Sequence, residues 1–395
     1  MMYSERFSNL PAHVWPRLRA LLDGHEGGGT PIHMTIGEPK HAFPAWVTDE
    51  ITKHAEGFNK YPPNDGSPEL RGAIAAWIAR RYGVEMDPDS EVMALNGTRE
   101  GLYNAVIALC PTTKNGEKSA ILMPNPFYQV YMIGAISGAA EPIMVPATAE
   151  TGHLPDFASL PEEVLRRTTA AYLCSPANPQ GVVASRDYWA DLIALAEKYD
   201  FLIFADECYS EIYRATPPTG ALEVVKELGT DRNRVVIFHS LSKRSNLPGL
   251  RSGFVAGDSE ILKGFLRYRT YHGCAMPIHH QLASIAAWND ESHVEKNRAL
   301  YREKFDAVLD ILGGPLKVSA PAAGFYLWPK TPISDEEFAR RLQAEQNVTV
   351  LPGRYLSRTV NGKNPGKNRV RMALVAPLEE CVEGAKRIKA LLDTL

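Results

Sequence analysis

The run Ser240-Leu-Ser-Lys-Arg-Ser-Asn-Leu-Pro-Gly-Leu-Arg251 places one lysine, Lys243, among small and hydroxyl residues, with an arginine eight positions on. A lysine at such a turn can bring its amine to a carbonyl carbon and form a Schiff base. Small neighbours admit a bulky cofactor. The hydroxyls of Ser240 and Ser242 and the Arg251 fork suit a dianionic phosphate. Together they describe a pocket for a phosphorylated aldehyde, pyridoxal phosphate. A solvated Ser/Lys/Arg-rich turn is the plain alternative, so the other sites must decide.

Four further segments could complete such a site. Asn96-Gly-Thr-Arg-Glu100 follows an apolar run and opens a helix, so the backbone of Gly97, Thr98 and Arg99 could face an anion; an ordinary N-cap reads the same. Asp206-Glu-Cys-Tyr209 ends the most apolar run. A carboxylate there is costly unless partnered, and a pyridinium nitrogen would partner it; a helix cap or buried ion pair also would. Tyr209 and Asn178, the latter in Ser175-Pro-Ala-Asn-Pro-Gln-Gly181, could bind a phenolic oxygen, although Asn-Pro and Gln-Gly form turns in any case. An aromatic of Pro124-Asn-Pro-Phe-Tyr-Gln-Val-Tyr131 could stack on a planar ring or simply fill the core. Near the two ends, Thr35-Ile-Gly-Glu-Pro39 supplies a turn. Arg371, in Asn368-Arg-Val-Arg-Met372, could clamp a carboxylate, with Arg369 on the same face.

These segments need a scaffold. From about Glu91 to Gly257, seven short apolar runs alternate with stretches of helical spacing. They are Glu91–Leu95, Ala120–Met123, Pro142–Val145, Ala170–Cys174, Phe201–Ala205, Arg234–His239 and Gly253–Ala256. This is the βαβ pattern of a mostly parallel sheet covered on both faces, and ligands bind beyond the carboxyl ends of such strands. Past Pro277 the texture changes: a long charged helix over Gln281–Leu312, short strands at Gly324–Pro329 and Val348–Leu351, and a final helix over Leu378–Leu392. The expected organisation is a large α/β domain over 46–285 and a smaller α+β domain from 1–45 and 286–395. Gly24–Thr30 is a plain loop, since no strand precedes it.

The 395 residues carry a net charge of -3, which leaves no electrostatic footprint for nucleic acid or an anionic membrane. No apolar run reaches spanning length. The start, Met1-Met-Tyr-Ser-Glu-Arg, lacks a signal-peptide core. Five scattered cysteines without a CxxC point to free thiols in a reducing cytoplasm and to no metal site. No G-x-G-x-x-G follows the first strand, which disfavours a nicotinamide dehydrogenase.

In order and spacing these segments resemble the class I/II aminotransferases of the fold-type-I pyridoxal-phosphate enzymes, across essentially the whole chain. The resemblance implies that Lys243 holds the cofactor as a Schiff base and then shuttles the proton. Asp206 would face the ring nitrogen, and Tyr209 and Asn178 the phenolic oxygen. Tyr128 would stack on the ring, in a run like the family's P-x-Y-P-x-Y. Gly97, Thr98, Arg99, Ser240, Ser242 and Arg251 would hold the phosphate. Tyr61 would reach the phosphate of the neighbouring subunit, which implies a homodimer. Gly37, Asn178 and Arg371 would take the substrate α-carboxylate. Ser252, before Gly253, departs from the aliphatic residue usual after the phosphate arginine.

Within the family, Asn125–Tyr131, Ser240–Gly257 and Tyr268–Pro277 look like the bacterial N-succinyldiaminopimelate aminotransferases of lysine biosynthesis. That implies N-succinyl-2-amino-6-ketopimelate as acceptor and glutamate as donor. For the distal acid of such a substrate, Arg269 is the first candidate and Arg267 the second; both could equally be helix-surface residues. Aspartate or aromatic transamination, and a cysteine-conjugate β-lyase, are the alternatives on the same scaffold. A non-catalytic sensor is disfavoured, because no basic patch or DNA-binding segment precedes Ile36-Gly37.

Overall fold

A computed structural model describes residues 4–8, 10–25 and 27–395. Part of the N-terminal start and one position of the Gly24–Thr30 loop lie outside the described residues.

The seven apolar runs form one seven-stranded sheet: β1 (Val92–Leu95), β2 (Ala120–Asn125), β3 (Glu141–Pro146), β4 (Thr168–Cys174), β5 (Leu202–Asp206), β6 (Val235–Ser240) and β7 (Gly253–Ala256). The order across the sheet is β1-β7-β6-β5-β4-β2-β3. Five of these strands are buried at every position, as expected where helices cover both faces. Side chains alternate between the two faces. Ala94 and Leu122 join a core with Trp77, Ile203 and Trp288, whereas Met93, Leu95, Ile121 and Met123 pack with Tyr131, Tyr172 and Phe238.

One topological fact builds the site. The pairings are parallel except those of β7, which runs antiparallel to both β1 and β6. The carboxyl ends of β1, β2, β4, β5 and β6 therefore share one edge of the sheet. Because β7 is reversed, its amino end lies at that same edge, with Gly253 opposite Leu95 and Ser240.

A second region is built from both ends of the chain. Ile32–His33 pairs in parallel with Val348–Thr349. Tyr326–Leu327, Val370–Ala373 and Leu351–Pro352 make a three-stranded antiparallel sheet. Its core joins Ile32 and Met34 to Leu312, Phe338, Val370 and Ile388. The last helix, Leu378–Leu392, has the bounds expected from its period.

The long helix expected over Gln281–Leu312 is instead two, Ile278–Asn289 and Ser292–Leu316. Asp290 separates them. Its Oδ2 accepts from the backbone N–H of His293 at 3.1 Å and its Oδ1 from the Ser292 hydroxyl at 2.8 Å. A capping acid inside a charged periodic stretch restarts a helix, which hydrophobic spacing alone does not show. Among the described residues no helix is long and apolar enough to cross a membrane.

Candidate active site

A cavity of about 1040 Å³ opens at the shared edge of the sheet. Lys243 lies on its floor, in the one-turn helix Leu241–Arg244 that follows β6. Ser240 caps this turn, its Oγ accepting from Ser242 N at 3.0 Å. Lys243 Nζ donates to the Gly37 carbonyl at 2.5 Å. Burial pushes its amine down to about 8, with Arg371 and Arg251 adding to the shift and Cys208 and Glu38 opposing it. A lysine so placed gives up its proton just above physiological pH, far more readily than a free lysine, and can serve as nucleophile and base.

One end of the cavity is a cradle for an anion. It lies between the N-terminus of helix Thr98–Leu109 and Arg251. Gly97 adopts a φ of 77°, and a Cβ added there would lie 2.4 Å from Arg251 Nη2. Arg251 is fixed by donating to Asn96 O at 3.1 Å and Pro248 O at 2.8 Å. Ser252, the departure from the family pattern, is fully buried behind this cradle. Its Oγ accepts from Ser284 Oγ at 2.8 Å, and its carbonyl accepts from Ser240 Oγ at 3.1 Å. The buried hydroxyl is thus spared the cost of going unpaired.

The middle of the cavity is lined by Asp206, Cys208, Tyr209, Tyr128 and Asn178. Asp206 ends β5 and is buried. Its Oδ2 accepts from Tyr131 OH at 2.5 Å, and its Oδ1 from Cys208 N at 3.3 Å. Burial raises its carboxyl pKa against those hydrogen bonds. Tyr128 OH accepts from Arg99 Nε at 2.8 Å, and its ring stands edge-on to Tyr131. Tyr209 shares a 3.2 Å hydroxyl contact with Tyr326.

At the far end Arg371 is buried in the strand Val370–Ala373, donating to Thr35 O at 2.7 Å and to Asn178 Oδ1 at 3.2 Å. Its Nε is buried with no partner. Gly37 lines the same end, and a side chain there would overlap Tyr326 OH. Arg369, the other candidate of that pair, instead donates to Trp328 O at 2.9 Å.

Three candidates are placed apart from the cavity. Arg269 is buried, with Nη1 paired to Glu100 at 2.8 Å and Nη2 donating to Cys274 O at 2.6 Å. Its fork is committed to the fold and does not line the cavity, so as first candidate for a distal acid it is displaced. Arg267 is exposed on the same helix, Ser259–His272, outside the cavity. Tyr61 is fully solvent-exposed on this chain.

Three lining residues were not singled out by the sequence. Tyr131 lies three positions after Tyr128 in the same quoted run, one helical turn away, and that spacing was the available signal. Cys208 sits between Asp206 and Tyr209, and its Sγ lies 3.1 Å from Thr98 Oγ1. Tyr326 carried no local signal; it arrives from the second region of the fold.

The family model for aminotransferases of class I and II matches residues 30–388. The chain belongs to the class I and II aminotransferases. This aminotransferase is 45% identical to the solved aminotransferase of Neisseria meningitidis, with a TM-score of 0.94 over 98% of this chain and 99% of that one. It is 32% identical to an LL-diaminopimelate aminotransferase of Desulforudis audaxviator, covering 98% of this chain and 97% of the relative. A structure from Thermus thermophilus, described as a probable N-succinyldiaminopimelate aminotransferase, is 29% identical with a TM-score of 0.83, covering 95% and 98% of the two chains. The aminotransferase catalyses transamination between amino and keto acids with pyridoxal phosphate, in a family whose members are typically dimers. Its residues fit that cofactor. The cradle at Gly97 is open only because no Cβ fills it, a buried Asp206 lacks a cation, and a lysine of lowered pKa lines the same cavity.

Proposed function

We propose that this aminotransferase moves the amino group of glutamate onto N-succinyl-2-amino-6-ketopimelate, giving N-succinyl-LL-2,6-diaminopimelate and 2-oxoglutarate. The observation that carries the transamination chemistry is Lys243, half-buried in the cavity it shares with Arg251 and shifted to about 8. When bound, pyridoxal phosphate supplies the carbonyl that takes up the amino group and the electron sink for the substrate α-carbon. Every other contribution comes from the chain. Lys243 Nζ would take the α-proton and deliver it to the former aldehyde carbon within the same half-reaction, and would run the transfer in reverse in the next. Asp206, held by Tyr131 OH, would keep a ring nitrogen protonated. Tyr209 and Asn178 would donate to the phenolic oxygen, and Tyr128 would cover the ring.

The backbone of Gly97, Thr98 and Arg99, with Ser240, Ser242 and Arg251, would hold the phosphate. Arg371, whose buried Nε lacks a partner, would fork the substrate α-carboxylate beside Gly37 and Asn178. Tyr61 would complete the phosphate site of the neighbouring subunit, which agrees with a ring left bare on a single chain. The large domain would span 46–285 and the small domain 1–45 with 286–395.

The second reading, amination of unblocked 2-amino-6-ketopimelate to LL-diaminopimelate, is favoured by the name of the 32%-identical relative. The two acceptors differ at the distal end: the free substrate presents an ammonium and a carboxylate, the succinylated one carboxylates only. Single-turnover amination of each, with glutamate-loaded enzyme, separates them. The proposal fails if the unblocked substrate reacts with the higher specificity constant. Both readings fail if neither reacts while the keto acid of aspartate or of an aromatic amino acid does.

A further inference from the structure

A second cavity, of about 380 Å³, opens where the N-terminal helix Val14–Leu22 meets the segment after Leu351–Pro352. Arg17, Arg354, Arg358 and Lys367 line it with Ser357, Thr359 and Asn364, and no acidic side chain does. Arg354 is already neutralised, paired with Asp335 and Glu336 at 2.6 Å each. Among the described residues, no carboxylate lies within ion-pair distance of Arg17, Arg358 or Lys367. Three cations therefore converge without an anion.

Their placement is not that of loose surface chains. The Arg17 guanidinium lies 3.9 Å over the Tyr355 ring, and that of Arg358 lies 5.5 Å from the Phe127 ring. These cation–π contacts anchor both side chains and leave N–H groups free to bond. Arg358 spends one nitrogen on Ser357 O at 2.9 Å. Asn364 Oδ1 accepts from Ser357 Oγ at 2.5 Å and from Gly366 N at 2.9 Å, which leaves the Nδ2 donor uncommitted. Burial and then the adjacent Arg17 charge depress the Arg358 pKa, the cost of holding like charges together.

We propose that this cavity binds a multiply charged oxyanion of the phosphate class, at a site separate from the cofactor cradle. Two guanidinium groups, one ammonium, an amide N–H and the Thr359 hydroxyl are the donor set such an anion takes. The site is coupled to the active cavity. Val14 and Trp15 of the helix that carries Arg17 line that cavity, as do His13 just before it and Leu356. Leu356 O accepts from Phe127 N at 3.1 Å, and the Arg358 backbone exchanges bonds of 2.8 and 3.0 Å with the Asn125 side chain. An anion joining Arg17 to Arg358 ties the N-terminal helix to the loop that carries Tyr128.

Calorimetric titration of the holoenzyme with inorganic phosphate tests this, since the cofactor already fills its own cradle. Wild-type enzyme should show one saturable site per chain that chloride at matched ionic strength does not reproduce. Arg358→Gln with Lys367→Gln should weaken binding at least tenfold while the cofactor absorbance stays unchanged, and Arg358→Lys should retain part of it. Pyrophosphate binding tighter than phosphate would assign a diphosphate-type ligand. Absent or chloride-like heats, or undiminished binding by the double variant, overturn the proposal. So does dissociation of an otherwise unresponsive dimer in that variant, because the partner chain would then fill the cavity.

Discussion

Asp206 and Asp335 are both buried carboxylates, one in each region of the fold, and their surroundings differ in kind. Asp335 is completed by the chain itself. Its Oδ1 takes Arg354 Nε at 2.9 Å and Nη2 at 2.6 Å and the Asn368 N–H at 3.1 Å, and its Oδ2 takes the Arg354 N–H at 3.1 Å. Asp206 receives a tyrosine hydroxyl and one long backbone bond, and no cation. Burying a carboxylate is costly, and the fold meets that cost fully at one site and only partly at the other. An acid that the fold leaves short of a counter-charge is reserved for something that arrives later. An acid fully enclosed by its own chain is architecture.

Substitutions can break this contrast. The largest effect should come from Lys243→Ala, which removes the group the incomplete site is built around. Turnover should fall by roughly 10⁴-fold, measured as amino transfer from glutamate, while the unfolding midpoint of the apoenzyme holds or rises. Asp335→Asn should do the reverse. Losing the charge-assisted bonds from the half-buried Arg354, which keeps Glu336, should cost about 1.5–3 kcal/mol in denaturant unfolding, with turnover per folded molecule unchanged. Asp206→Asn should leave apoenzyme stability nearly intact, since an amide oxygen still accepts from Tyr131. It should weaken cofactor binding by about 2 kcal/mol, the worth of a hydrogen bond to a charged group. If that variant instead unfolds the apoenzyme as Asp335→Asn does, the contrast collapses.

A further effect is a pH dependence. Lys243 titrates near 8 when folded and near its ordinary 10.5 when unfolded. Between these values the unfolded chain holds more protons, so apoenzyme stability should rise with pH across that window, by at most about 1.4 kcal/mol per unit. Below about 8 both states are charged and the penalty is constant. Subtracting the curve of Lys243→Met isolates the term, and a difference that falls with rising pH would exclude the buried neutral amine.

Local pattern and long-range contact were unequally legible in the sequence. The seven strands of the main sheet and the last helix show in apolar spacing, because each must bury its own period. Lys243, Asp206, Gly97 and Arg251 were readable for a related reason: strand ends and glycine turns sit in runs that name themselves. The Asp290 break was missed because capping competes with a continuous helical period. Arg269 was misplaced because sequence shows a basic, aromatic segment but not that Glu100, distant along the chain, already holds its fork. Tyr326 and the Arg17–Arg358 cavity were invisible because each forms only when separate segments fold together.

The reversed strand β7 has a bearing on the order in which the protein can mature. Arg251 reaches Asn96 across 155 positions of chain, and it does so only when β7 has inserted between β1 and β6. A chain still emerging from the ribosome can pair its parallel strands, yet it has a slot where β7 belongs and half an anion cradle. Capture of the cofactor thus waits for the middle of the molecule to close, and the colour of the bound aldehyde becomes a readout of completed folding as much as of binding.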